Sequence, residues 1–154
     1  MSVNWKCLHF DQLSLHELYA ILRLRTEVFV VEQNCVFQDM DNKDQQCYHV
    51  CGWADGQLVA YTRLVPAGLS YQEASIGRVI TAPAARGTGA GKELMKRSIA
   101  LLYNIWGHQP IRIGAQLYLR KFYESLGFAQ TSDVYLEDGI EHIEMIVPIL
   151  EHNS

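Results

Sequence analysis

Apolar positions recur in two periods along the chain, and together with turn residues they divide it into about ten elements. Residues 3–10 have strand-like composition. Ser14-Leu15-His16-Glu17 has the form of a capping box, in which Ser and Glu each satisfy a free backbone N–H of a first helical turn. Leu15, Leu18, Tyr19 and Leu22 follow at helical spacing, which predicts a helix from residue 14 into Val28. Residues 33–46 are polar and rich in Asp and Asn, so they read as a long loop of the kind that often carries function. Strands are expected over 48–54 and 57–65, because Asp55-Gly56 between them suits a type I′ hairpin turn. Another strand is expected over 75–81. Leu94, Ser98, Leu101, Leu102 and Ile105 then share a face of a helix over 92–105, which Gly107 and Pro110 close. A strand over 111–115, a helix over 117–126 ending at Gly127, and strands over 130–136 and 141–149 paired across Asp138-Gly139 complete the pattern. The order β-α-β-β-β-α-β-α-β-β predicts an α/β (α+β) fold, a mixed and mostly antiparallel sheet flanked by helices.

Length narrows this to one domain over residues 1–154, since a second core would not fit in 154 residues. With 49% hydrophobic and 19% charged residues, the chain is neither disordered nor collagen-like. It has no apolar run of membrane-spanning length and no basic, then apolar, leader, so we expect a cytoplasmic protein with no membrane partner. Its four cysteines are then expected as reduced thiols. Cys47, His49 and Cys51 alternate onto one strand face, but half-buried packing is commoner for such a trio than a ligand set, and no metal is expected.

The net charge of −4 argues against nucleic acid, yet the charge is segregated. Eight basic residues between Arg78 and Lys121 face one acid, Glu93, whereas the stretch from Phe122 onward holds seven acids and no Lys or Arg. Five more acids lie between Glu27 and Asp44. The basic middle suits an anionic ligand, and within it Arg86-Gly87-Thr88-Gly89-Ala90-Gly91-Lys92 leads into a helix. Glycines permit close backbone approach, and a helix N-terminus adds about half a positive charge, so this segment reads as a phosphate cradle. A Walker A loop would need Gly at position 86 and Ser or Thr after Lys92, and the dinucleotide fingerprint has a different glycine spacing.

The remaining pattern, Arg86-x-x-Gly89-x-Gly91, resembles the coenzyme A loop of the GNAT N-acetyltransferase family. A second match follows: Gln116, Tyr123, Gly127 and Phe128 resemble that family's Asn-x-x-Ala-x-x-x-Tyr-x-x-x-Gly-Phe segment, with Gln116 and Leu119 replacing its Asn and Ala. The resemblance covers the whole chain and narrows to one bacterial branch on 29–35, 38–41, 76–80, 114–116 and 137–142. It implies the GNAT acyl-CoA N-acyltransferase fold, acetyl-CoA as acetyl-donor cosubstrate, and a small-molecule or peptide amine as acceptor. It implies that Val79, Ile80 and Thr81 meet the pantetheine arm, that Arg86, Gly87, Thr88, Gly89, Ala90, Gly91 and Lys92 hold the pyrophosphate, and that Gln116 and Tyr123 also border the cofactor.

The same resemblance makes Tyr123 the general acid, a phenol that keeps its proton until a comparably basic thiolate forms. Its alternative is core packing beside Phe122 and Phe128. Glu32, Asp39, Asp41, His49 and His142 are the candidates for the base. Glu32 follows the apolar run Phe29-Val30-Val31 and is expected partly buried with a raised pKa, or else as an organiser of its loop. His142 has the titration range that suits a base, or is structural. Cys35, Cys47 and Cys51 lie among acids rather than activating cations, which disfavours an acetyl-cysteine intermediate. The acids Glu32, Asp39, Asp41, Glu137 and Asp138 predict a cationic acceptor. A non-catalytic acyl-CoA-binding or sensor module and an acyl-homoserine-lactone-type synthase stand as alternatives, and homodimer formation stays open.

Overall fold

The computed structural model describes residues 2–148. Met1 and residues 149–154 lie outside them, including Ile149, where the last strand was expected to end. The strands β1 (Asn4–His9), β2 (Tyr48–Ala54), β3 (Gln57–Val65) and β4 (Ser75–Thr81) form an antiparallel meander in that order. The Asp55-Gly56 turn has both residues at positive φ, as the I′ geometry requires. Strand β3 is buried throughout Leu58–Val65 because a helix covers each of its faces. Its Ala60 and Leu64 pack with Leu94, Met95 and Leu102 of α2 (Ala90–Trp106), and its Leu58 and Tyr61 pack with Ile21 and Leu24 of α1 (Leu15–Arg25).

Helix α1 starts at the expected capping box, with Glu17 N donating to Ser14 Oγ at 3.0 Å and Ser14 N donating to Glu17 Oε1 at 2.9 Å. The predicted stripe is not the buried one: Leu15 and Tyr19 are 85% and 73% exposed, while Ile21, Leu24, Arg25 and Val28 face inward. The helical backbone also runs past Val28 as a π-helical turn, Thr26–Glu32. Such turns are rare and often mark functional positions.

The second half forms its own sheet. Strand β8 (Ile140–Val147) pairs with β5 (Ile111–Gln116) on one side, and with the short β6 (Ala129–Gln130) and β7 (Tyr135–Glu137) on the other. The strand expected over 130–136 is thus split at 131–134, where Ser132 Oγ accepts from Glu144 N at 2.8 Å in place of a ladder partner. The helix expected over 117–126 is a 3₁₀ turn, Leu117–Leu119, followed by α3 (Arg120–Glu124).

The one mixed sheet foreseen is therefore two sheets joined by the crossover β4-α2-β5. They meet at a parallel bridge between Ala74 and Ile111, with Arg112 N donating to Ala74 O at 3.0 Å, and beyond it β4 and β5 do not pair. One core holds both together: Leu94 and Met95 of α2 pack with Ile76, Ile113, Ala115 and Met145. Among the described residues no helix is long and apolar enough to cross a membrane.

Candidate active site between the two sheets

A cleft of about 860 Å³ opens where β4 and β5 part, lined by β4 from Ser75 to Thr81 and by β5 from Ile113 to Gln116. Its size is in the range of ligand sites. Strand β4 is turned aside by a bulge. Tyr61 pairs with Ile80 and Arg63 with Gly77, so two residues of β4 oppose Thr62 alone, and Arg78 adopts φ 51°. A positive φ is strained for arginine, and two bonds to Asp39 hold it: Arg78 Nε donates to Oδ1 at 2.8 Å and Nη2 to the backbone O at 2.9 Å.

At the end of β4 the chain passes through a 3₁₀ turn, Pro83–Ala85, into the glycine segment. Gly89, at φ 81°, is the N-cap of α2 and offers no side chain to cap it, so the first N–H groups of the helix stay available. A Cβ at Gly87 or Gly89 would meet nothing within 4 Å, and the space beside them is free for a ligand to approach the backbone. These features fit a phosphate-bearing ligand. Arg86 and Gly91 border the cleft, Gly87, Thr88, Gly89 and Lys92 are exposed beside it, and the Thr88 hydroxyl donates to Ala85 O at 2.5 Å. Ala90 is buried against Val59 and Ala85, so only its backbone faces the ligand side. Ile80 borders the cleft, but its side chain is in the core with Ile21 and Tyr61. Val79 and Thr81 also line the cleft, on the edge of β4 that has no strand partner.

Tyr123 comes from α3 and is 5% exposed. It stacks edge-on with Phe122 and Phe128, so the packing role is real, yet it also lines the cleft and its hydroxyl has no hydrogen-bond partner among the described residues. Burial pushes its pKa above the ordinary phenol range, which favours a group that holds its proton until a strong base appears. Gln116, at the end of β5, accepts from Gln33 Nε2 at 3.3 Å and so ties β5 to the segment after the π turn. His142 faces Gln116 across the β5–β8 ladder. Its Nδ1 donates to Ile140 O at 2.8 Å, which leaves Nε2 to take a proton, and Glu137 Oε2 is 3.3 Å from Nε2.

The expectation of a partly buried Glu32 with a raised pKa is overturned, and its alternative as an organising carboxylate fits. It makes a two-pronged ion pair with Arg86, Oε2 lying 3.0 Å from Nη2, and that hydrogen bonding lowers its pKa although the carboxylate is well exposed. His49 is overturned as a base. It is 1% exposed and does not line the cleft; Nε2 meets Asp44 O at 3.0 Å and so carries the hydrogen, which leaves Nδ1 to accept from the Tyr61 hydroxyl at 2.6 Å. Both nitrogens are used, which also removes it as a metal ligand, and burial lowers its pKa. Burial pushes the Cys47 and Cys51 thiols up to about 11 and about 12, the opposite of an activated nucleophile. No group of three or more His, Cys, Asp and Glu that would hold a metal occurs among the described residues.

A profile of the acetyltransferase (GNAT) domain matches residues 16–148. The chain belongs to the GNAT acetyltransferase family. It is 41% identical over 151 residues to the protein ElaA of Escherichia coli K12, covering 97% of this chain and 99% of that one. The crystal structure of E. coli ElaA superimposes with a TM-score of 0.89 over 94% of this chain and 99% of the other. An acyl-CoA N-acyltransferase from Pseudomonas aeruginosa is 44% identical, with a TM-score of 0.90 over 94% of this chain and 99% of its own.

Within this GNAT fold the loop of residues 33–46 is ordered by a network that the sequence pattern did not reveal. Arg25 of α1, 0% exposed, donates from Nε to Asp39 Oδ2 at 2.9 Å and from Nη1 to Asp44 Oδ1 at 2.7 Å. Arg63 of β3 binds Asp41 through both oxygens, at 2.7 and 2.8 Å, and Asp44 at 2.9 Å. With Arg78 on Asp39 the cluster holds three arginines and three aspartates. Burial pushes the Asp41 carboxyl up, but the hydrogen bonds and charge of Arg63 and the charge of Arg78 more than reverse it and hold it below the usual carboxylate range. The charges of Asp39 and Asp41 are thus matched by arginines. The signal for this was present: an arginine inside the apolar run 58–65, another one turn after Ile21, and three aspartates in one loop.

Proposed function

We propose that this GNAT family member is an acetyl-CoA-dependent N-acetyltransferase, one domain working in the cytoplasm, that acetylates a primary amine by direct attack in a ternary complex. One observation carries the reading: the uncapped, glycine-lined start of α2 and the unpartnered Tyr123 hydroxyl belong to the same cleft, at the end of the bulged β4. The first would take the pyrophosphate through backbone N–H groups, with Arg86 alongside, and the open edge of β4 at Val79 and Thr81 would take the amides of the pantetheine arm. Acetyl-CoA held in this way would supply the acyl thioester to the cleft.

His142 is our candidate for the base. Its Nε2, which faces Glu137 Oε2 at 3.3 Å, takes a proton from the acceptor ammonium, directly or through water, and Glu137 compensates the imidazolium. The amine lone pair attacks the thioester carbonyl, the C–N bond forms, and the C–S bond breaks. The departing thiolate takes the Tyr123 proton, and the second proton that the nitrogen loses on becoming an amide returns to the Tyr123 phenolate through water. Glu32 has a different task, holding the Arg86 side chain across the cleft. Four free thiols fit a reducing compartment.

The test combines binding with turnover. Acetyl-CoA should raise the melting temperature well above the shifts from NAD or ATP, since only a ligand bound to the folded state stabilises it. CoA release with an amine panel should follow. Equal shifts from all three ligands would remove the coenzyme assignment, and tight acetyl-CoA binding with no CoA release from any amine would turn the reading to a binding module.

A further inference from the structure

The far end of the cleft, near the start of β4, carries a charge pattern that the transfer chemistry does not use. Four basic side chains of Lys and Arg line the cleft: Lys43, Arg63, Arg78 and Arg86. The three arginines are each paired with a carboxylate. Lys43, a half-buried residue, is the exception among the described residues, its ammonium touching only the Ser70 hydroxyl at 3.3 Å. Another wall is the β7–β8 hairpin, where Glu137 and Asp138 also line the cleft, the Asp138 carboxylate unpaired among the described residues. The arginine–aspartate network between loop and sheet sums to zero charge, so it does not cancel the field of Lys43.

The two walls border one chamber. Tyr71 follows Ser70 and reaches β5: its hydroxyl lies 2.8 Å from the place where a Cβ on Gly114 would be, with the Tyr135 hydroxyl 3.2 Å from the same point. Tyr135 in turn stacks on His142, with centroids 6.0 Å apart. This crowding explains the glycine at 114. Lys43, Ser70, Tyr71 and the proposed base His142 all line this one cleft. Over the top, Cys35 Sγ donates to Asp138 O at 3.2 Å and closes loop against hairpin.

We infer that the acceptor is an amine that also bears a carboxylate, an amino acid, whose carboxylate is received by Lys43 and whose ammonium is drawn to the His142, Glu137 and Asp138 wall. This deepens the acyltransferase reading and rests on it. An ammonium whose one partner is a neutral hydroxyl is stabilised by an incoming carboxylate, and a hydrogen bond between two ionised groups is stronger than the one to serine that it supplements. A purely cationic amine would meet an uncompensated positive charge at that end.

The experiment measures CoA release with each proteinogenic L-amino acid, its amide and its decarboxylated amine. At least one amino acid should exceed its own amide and its own amine by about tenfold or more in kcat/KM. Lys43→Met should bring that ratio to near one with KM for acetyl-CoA unchanged, and Lys43→Arg should restore part of it. Amides or decarboxylated amines that match or outperform every amino acid overturn the inference and leave the acyltransferase standing, as does a ratio indifferent to Lys43→Met. Acetyl-CoA binding without turnover of any amino acid overturns it also, and absence of acetyl-CoA binding overturns the acyltransferase reading itself.

Discussion

The two ends of the cleft are built in opposite ways. At the cradle end, one contiguous segment, 86–92, presents backbone N–H groups, and its side chains matter mostly by being small. At the end proposed for the acceptor, side chains from α1, β3, β4 and the loop 33–46 converge, with partners up to 39 positions apart in sequence, and ionic bonds do the holding. A ligand common to a whole family can be met by local backbone geometry. A surface that selects one acceptor has to be assembled from distant side chains, and a loop without regular structure then needs its buried charges matched one for one.

Tyr123 lines the same cleft, and its removal should have the largest effect. Tyr123→Phe deletes one hydroxyl and little volume, so kcat should fall by roughly 10²–10⁴ with KM for acetyl-CoA nearly unchanged. Retained turnover would make the residue a packing group only. Asp39→Ala should cost about 3–5 kcal/mol of stability in urea unfolding, because it leaves Arg25 buried with one partner fewer and releases the bulge at Arg78. A loss of under 1 kcal/mol would show that the loop is held by something other than the network.

Gly89→Val tests the other end. Its φ of 81° costs a side chain about 1–2 kcal/mol, and the new methyls occupy the space left for the ligand, so acetyl-CoA affinity should drop by about tenfold or more while the protein still folds. Normal affinity would move the phosphate site elsewhere. The smallest effect concerns acid. Asp41 and Asp44 have folded pKa values below their unfolded ones, so their contribution is complete above about pH 4 and is lost as pH falls further toward the folded values. Unfolding free energy measured from pH 6 to pH 2 should decline below pH 4, and less steeply for a folded Asp41→Asn variant. An identical slope would place the acid sensitivity outside the network.

Much of the fold was legible because its signals are local. The Ser14–Glu17 capping box, the two Asp-Gly turns and the inward face of α2 appear where the sequence puts them. The face of α1 was not legible: Leu15, Leu18, Tyr19 and Leu22 form as good a stripe as Ile21, Leu24, Arg25 and Val28, and only the sheet beneath decides which one is covered. The charge segregation misled in the same way. Five of the eight cations between Arg78 and Lys121 are paired in the folded protein, with Asp39, Glu32, Glu93, Glu73 and Glu124, and four of those acids come from outside the basic stretch.

By itself the sequence determined the order of the elements, the glycine loop before α2 and the two motifs that carry the GNAT resemblance, since each depends on residues a few positions apart whose conformational preferences are intrinsic. Only the tertiary structure decided that β4 and β5 separate, that Glu32 serves Arg86, that His142 rather than His49 reaches the cleft, and that Lys43 meets no carboxylate among the described residues. Those outcomes depend on which charges and faces meet across the chain, and a pairing between distant residues leaves no period in the sequence from which to read it.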